Sequence, residues 1–175
     1  MLMMLQKIRD DGALALAEAL KTNSTLTTLK LQRNLVRLHG ALALSYTLKT
    51  NSTLITLDLQ NNDIRDYGAQ ALGQALKINS TLTTLDLWNN MIGDTVAQAL
   101  SEALKTNLTL TTLGLQNNKI GDTGAQWLFW VTTGNKPELM VMCHEQFKMV
   151  IISDQIVKDG SLPLKLAWTK PDSYR

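Results

Sequence analysis

"LITLDLQNNDIRDYGAQALGQALKIN", residues 54–79, changes its hydrophobic period part-way along. Leu57 and Leu59 stand two apart, which places them on one face of a short strand. Beyond Asp66 the spacing turns helical: Ala69, Leu72, Ala75 and Leu76 share a face, and Gln70, Gln74 and Lys77 fall outside it. The same design recurs at steps of 28 residues. Leu29, Leu57, Leu85 and Leu113 form one column, and Leu31, Leu59, Leu87 and Leu115 form another. Asn34, Asn62, Asn90 and Asn118 keep the step, followed by Val36, Ile64, Ile92 and Ile120. Ile8, Gly12, Ala13 and Leu16 continue the pattern backwards, so the chain opens inside a unit with Met1 and Met3 on strand-leucine columns.

The totals narrow the setting. A chain of 175 residues has room for one domain, or one domain and a tail. A net charge of +2 makes no electrostatic case for nucleic acid or an anionic membrane as partner. One cysteine, Cys143, excludes an intramolecular disulfide framework. The opening "MLMMLQKIRDDG" reads as no signal peptide, and no apolar run reaches the ~20 residues that span a bilayer. A cytoplasmic location is expected.

Strand–helix units of this kind cannot bury their apolar side alone, so they stack. Strands pack ~4.8 Å apart and helices ~8–10 Å, so the stack must curve with a parallel sheet on its inside. The small residues Gly68, Ala69, Ala71 and Ala75 limit the mismatch. Asp10, Asp66, Asp94 and Asp122 precede the helices and are expected to cap them. Asn23, Asn51, Asn79 and Asn107 follow the helices and are expected to take the left-handed turn that ends them.

The pattern LxxLxLxxNxIxDxGAxALAxALKxN resembles the 28-residue leucine-rich repeat of the ribonuclease-inhibitor type, over about residues 1–135. That type occurs also in the C-terminal regions of NOD-like receptors and in Ran GTPase-activating proteins. The resemblance implies an α/β right-handed solenoid, a horseshoe with its sheet on the concave side and helices on the convex side. It implies a protein-binding module that docks its partner along the concave face, as in the recognition part of an NOD-like-receptor-type protein. It also implies that Asn34, Asn62, Asn90 and Asn118 form a buried ladder to neighbouring backbone. Ribonuclease inhibitors are rich in cysteine, and this chain is not. The alternative is a regulator of a Ran-like small GTPase. Such activators carry a longer array and an acidic tail, whereas this chain ends in the basic "KLAWTKPDSYR". No catalytic residue of that family maps onto it. A repeat fragment without independent activity is a third reading.

Chemistry-bearing constellations are sparse. His39 sits at a helix start, and Cys143-His144 are adjacent in sequence, which does not make a nucleophile and base. No phosphate loop, zinc spacing or serine motif occurs, so neither catalysis nor a cofactor or metal is expected. Asn23-Ser-Thr, Asn51-Ser-Thr, Asn79-Ser-Thr and Asn107-Leu-Thr satisfy the glycosylation sequon, a by-product of repetition.

Strand alternation assigns the concave face. If Leu57 and Leu59 point inward, Thr56, Asp58 and Gln60 point out. The outward columns are Thr28, Thr56, Thr84, Thr112; Lys30, Asp58, Asp86, Gly114; and Gln32, Gln60, Trp88, Gln116. Asp58 and Asp86 on neighbouring strands repel, which suggests that folding did not choose them. Trp88 replaces glutamine on a polar face, either as an interface anchor or as drift in a tolerant repeat. Lys30, Gln32, Arg33, Asp58, Gln60, Asp86, Trp88 and Gln116 are the candidate partner-binding residues.

The ends and two irregular units complete the reading. Met1 leaves a strand edge uncovered, which offers a route to self-association. Leu38 stands where other units have aspartate, Tyr46 takes a convex polar position, and Val96 stands on the column of Gly40, Gly68 and Gly124. Trp127 takes the alanine column of Ala43, Ala71 and Ala99, where tryptophan is expected to open the helix stack unless this helix faces a different neighbour and starts a C-terminal cap. Residues 136–175 lose the 28-residue register, hold Pro137, Pro163 and Pro171, and read as a cap or tail. Within them "ELMVMCHEQFKMVIISDQIV" is strand-rich and able to continue the sheet, with Met140, Met142 and Met149 as cap core.

Overall fold

A computed structural model describes residues 7–135 and 139–142. Helices and three-residue strands alternate: α1 (Asp10–Thr22), β1 (Thr28–Lys30), α2 (Leu38–Leu48), β2 (Thr56–Asp58), α3 (Arg65–Leu76), β3 (Thr84–Asp86), α4 (Asp94–Thr106), β4 (Thr112–Gly114), α5 (Asp122–Asn135) and β5 (Met140–Met142). The strands form one parallel sheet in the order β1-β2-β3-β4-β5. Leu29 pairs with Leu57, Leu57 with Leu85 and Leu85 with Leu113, so the repeat offset of the sequence is the register of the sheet. Each helix packs on the next along the other side, giving an α/β solenoid. Met1, Met3 and the expected open N-terminal edge lie outside the described residues, as do Cys143, His144 and the prolines.

The core lies between the two layers. Leu57, Leu59, Leu85, Leu87, Leu113 and Leu115 are fully buried beneath the sheet, and Ala41, Ala69, Ala97, Leu72 and Leu100 meet them from the helices. Each such leucine contributes roughly 1.5–3 kcal/mol. Helices approach through glycine on alanine: a Cβ at Gly68 would lie 3.0 Å from the Ala41 Cβ, and one at Gly124 3.1 Å from that of Ala97. Val96 fills this column in α4 and is buried, and the α3–α4 pair is the loosest of the helix pairs.

Polar ladders bind the units to one another. Asn62 Nδ2 donates to the carbonyls of Leu31 and Leu59 at 3.0 and 2.9 Å, while its Oδ1 accepts from Val36 N–H at 2.9 Å. Asn90, fully buried, donates to Leu59 O at 2.8 Å and accepts from Ile64 N–H at 3.3 Å. Asn34 and Asn118 bond in the same manner. Such partners are needed because the chain turns inward here and would otherwise strand its amides.

The helix-end asparagines are not left-handed turns. Asn23 and Asn107 are extended, with φ of −75° and −72°. Four left-handed residues stand one before the first ladder instead: Arg33, Asn61, Asn89 and Asn117, with φ of 52–59°. Asn51, Asn79 and Asn107 form a second ladder, their Nδ2 donating to Leu20 O, Leu48 O and Leu76 O at 2.8–2.9 Å. Those carbonyls end the helix of the preceding unit and have no partner within it. The nitrogen that would carry a glycan is therefore committed in three of the sequons, on buried side chains. Asn23 alone of the four is exposed.

The aspartates cap the following unit, not their own helix. Asp10 Oδ1 accepts from Arg37 N–H at 2.6 Å and Gly40 N–H at 2.9 Å. Asp66 and Asp94 take Gly93 N–H and Gly121 N–H, each at 2.7 Å. Each aspartate sits inside the first turn, so its carboxylate reaches sideways across the stack. The missing cap at Leu38 therefore falls on Arg65. With no carboxylate to meet it, Arg65 N–H donates to Asn90 O at 3.0 Å, and Arg65 is left-handed with φ of 58°. Arg37 and Gly93, at the same offset beside an aspartate, are extended.

Two expectations for the C-terminal side are corrected. The 28-residue register does not end at residue 136: Thr112 pairs with Met140, Leu113 with Val141 and Gly114 with Met142. Val141 is buried on the leucine column, whereas Met140 is exposed. Trp127 does not open the stack either, since α5 packs on α4 as closely as α3 on α2. The alanine column it replaces is itself half-exposed, and the indole rests at the outer edge, 39% accessible.

Candidate concave binding site

The sheet presents one side chain per strand in each outward column. Leu57 and Leu85 are buried, and the residues on either side of them are not. Beyond the strands the columns continue to Gln32, Gln60, Trp88 and Gln116. These four line a shallow hollow of about 560 Å³ together with Arg33, Asn61 and Asp86. Six of the eight residues nominated from sequence thus meet in one place. Lys30 and Asp58 lie on the same face outside it. Asn61 was missed because it reads as an ordinary turn residue. Its left-handed backbone turns it toward the hollow, where its Oδ1 accepts from Asn89 Nδ2 at 2.8 Å.

Trp88 is half-buried and absent from the apolar core, while Leu87 beside it is fully buried on the opposite face. The indole therefore stands on the concave wall. Its neighbours are polar: Gln60 and Gln116 line the hollow on either flank.

The two aspartates are not idle in the fold, contrary to the expectation from their repulsion. Asp58 Oδ1 accepts from Gln60 N–H at 3.1 Å and Asp86 Oδ1 from Trp88 N–H at 3.0 Å, so each caps the turn that leaves its strand. Asp86 Oδ2 also accepts from Gln60 Nε2 at 2.6 Å. Its carboxylate leans over β4, where a Cβ on Gly114 would meet Oδ1 at 2.5 Å. Glycine at 114 gives Asp86 its space. Burial pushes the Asp86 carboxyl above the ordinary range. The hydrogen bonds from Trp88 and Gln60 pull it back, and the charge of Asp58 adds to the rise.

Among the described residues no group of three or more His, Cys, Asp or Glu is placed to hold a metal ion, and no helix is long and apolar enough to cross a membrane. His39 is exposed, with Nδ1 3.7 Å from Asp10 Oδ2.

This geometry agrees with known proteins. A family described as "Leucine Rich repeat" matches residues 50–73, 79–101 and 106–128, three consecutive units of the stack. These units are leucine-rich repeats. A solved structure of the leiomodin-1 actin-binding site 2 is similar to the chain over 73% of its length and 76% of that chain, with 28% identity and a TM-score of 0.62. A search of curated proteins finds no match. The leucine-rich repeats account for the leucine columns and the asparagine ladder. Of the outward columns, that of Thr28, Thr56, Thr84 and Thr112 is uniform, and the two that follow it vary among the units.

Proposed function

We propose that the chain is a protein-binding module whose partner docks on the concave face around Trp88. The observation that carries this reading is the indole itself: a large aromatic side chain, half-buried, in a polar hollow, on a column that is glutamine in the other units. Aromatic side chains of this kind dominate binding energy at protein interfaces. Asp86, Gln60, Gln32 and Arg33 supply the polar surround.

Actin is the first partner to test, because the similar leiomodin-1 structure is an actin-binding site. Fluorescence anisotropy of labelled monomeric actin against the chain should show saturable binding that Trp88→Ala weakens by about tenfold or more. Binding that Trp88→Ala leaves unchanged would contradict the concave reading. The repeat type also suits the recognition part of an NOD-like-receptor-type protein in the cytoplasm. Activation of a Ran-like GTPase is separated by one assay: the chain added to the GTP-loaded enzyme should leave hydrolysis unchanged.

A further inference from the structure

Asp86 in the concave hollow and Asp58 beside it on β2 carry negative charge that the described fold leaves without an ion-pair partner, while Arg33 lines the hollow at its β1 end. Neither Asp58 nor Asp86 forms an ion pair with a described residue. Lys30 stands beside Asp58 in register yet makes no ion pair with it. Asp86 holds its charge on neutral donors alone, the Trp88 N–H and the Gln60 amide. Asp58 uses one oxygen on Gln60 N–H, and its other oxygen takes no hydrogen bond from a described residue. The charged columns are also segregated along the sheet. Lys30 and Arg33 lie at the β1 end, the carboxylates stand on β2 and β3, and β4 offers only Gly114 and Gln116.

Resting on the concave-docking reading, we propose that the hollow receives an arginine side chain of the protein partner, stacked on the Trp88 indole and donating to Asp86 within the hollow and to Asp58 beside it on β2. Guanidinium fits this arrangement better than other groups. It is planar, so it lies flat on an indole, and its fork of N–H donors serves two carboxylates at once. Lysine offers a point charge without the flat face. A carboxylate or phosphate on the Trp88 indole would meet Asp86 and be repelled, since the cation of the hollow, Arg33, stands two strands away at the β1 end. The raised carboxyl of Asp86 agrees with this, because a cation arriving there relieves the unfavourable burial of its charge.

The test is a random heptapeptide library displayed on phage and panned on the full chain. Recovered peptides are then measured by anisotropy against the chain and its Asp58→Asn, Asp86→Asn and Trp88→Ala variants. Asparagine keeps the oxygen that accepts Gln60 N–H or Trp88 N–H, and unfolding curves verify that each variant is folded. The expected result is enrichment of arginine at one position. Binding should fall about tenfold when that arginine becomes glutamine, and by a similar factor in Asp86→Asn or Trp88→Ala. Peptides that bind through Trp88 without arginine would overturn the arginine seat and leave concave docking standing. A library that yields no binder sensitive to Trp88→Ala would overturn both.

Discussion

The two sides of β3 obey different rules. Leu85 and Leu87 point into the core and repeat as leucine in the units of β1, β2 and β4, while Asp86 and Trp88, which alternate with them, point outward on columns that vary among the units. The inward side is held by packing that any substitution disturbs. The outward side is held by a turn cap and by contacts with neighbouring glutamines. A side chain free to vary without unfolding the stack is one that recognition can select, and Trp88 is the largest such choice in the described sheet.

The scaffold side should break hardest. Asn90→Ala strands the Ile64 N–H in a buried place and takes one of two donors from each of the Leu59 and Trp88 carbonyls, at a cost of about 1–3 kcal/mol. Denaturant unfolding should show the loss as a lower midpoint, and an unchanged midpoint would deny the ladder its role. A smaller gain is expected at the weak junction. Leu38→Asp restores a carboxylate beside Arg65 and Gly68 and should raise stability by about 1 kcal/mol. The same unfolding curve reads it.

Asp86 yields a pH signature with a definite sign. Its carboxyl is raised in the folded chain, so the folded state holds its proton to higher pH than the unfolded state. This group's contribution to stability is therefore greatest below the ordinary carboxylate range. It declines as pH rises through the raised value and is level beyond it. Asp86→Asn should remove that decline from a series of unfolding curves between pH 3 and pH 7. A variant with the same pH profile as the parent would show that Asp86 is not the source.

Much of this was legible because repetition writes tertiary contacts as a spacing. The leucine columns foretold the sheet register to the residue, and strand alternation brought six of the candidate residues to one hollow. The errors share a cause. Caps were assigned locally, yet Asp10 serves Arg37 and Asn51 serves Leu20, across 27 and 31 residues. Reading one helix at a time cannot see such partners. A strand was expected within residues 138–157, but the register of β5 was not seen, because Glu138 and Cys143 occupy columns that Leu110 and Leu115 hold one unit earlier and Val141 alone repeats a large aliphatic side chain. Trp127 was misjudged because an alanine column says that a slot is small without saying that its outer side is open. The Asp58 and Asp86 turn caps were hidden for a similar reason, since strand spacing shows the repulsion and not the amide two residues on.

The central claim is that Trp88 serves docking and not folding. Thermal unfolding and partner binding of Trp88→Ala, measured beside Leu87→Ala, test it most directly. Leu87→Ala should lose about 2–5 kcal/mol of stability. Trp88→Ala should melt with the parent and lose its binding. If Trp88→Ala instead melts with Leu87→Ala and binds as the parent does, the indole belongs to the core and the concave site does not exist.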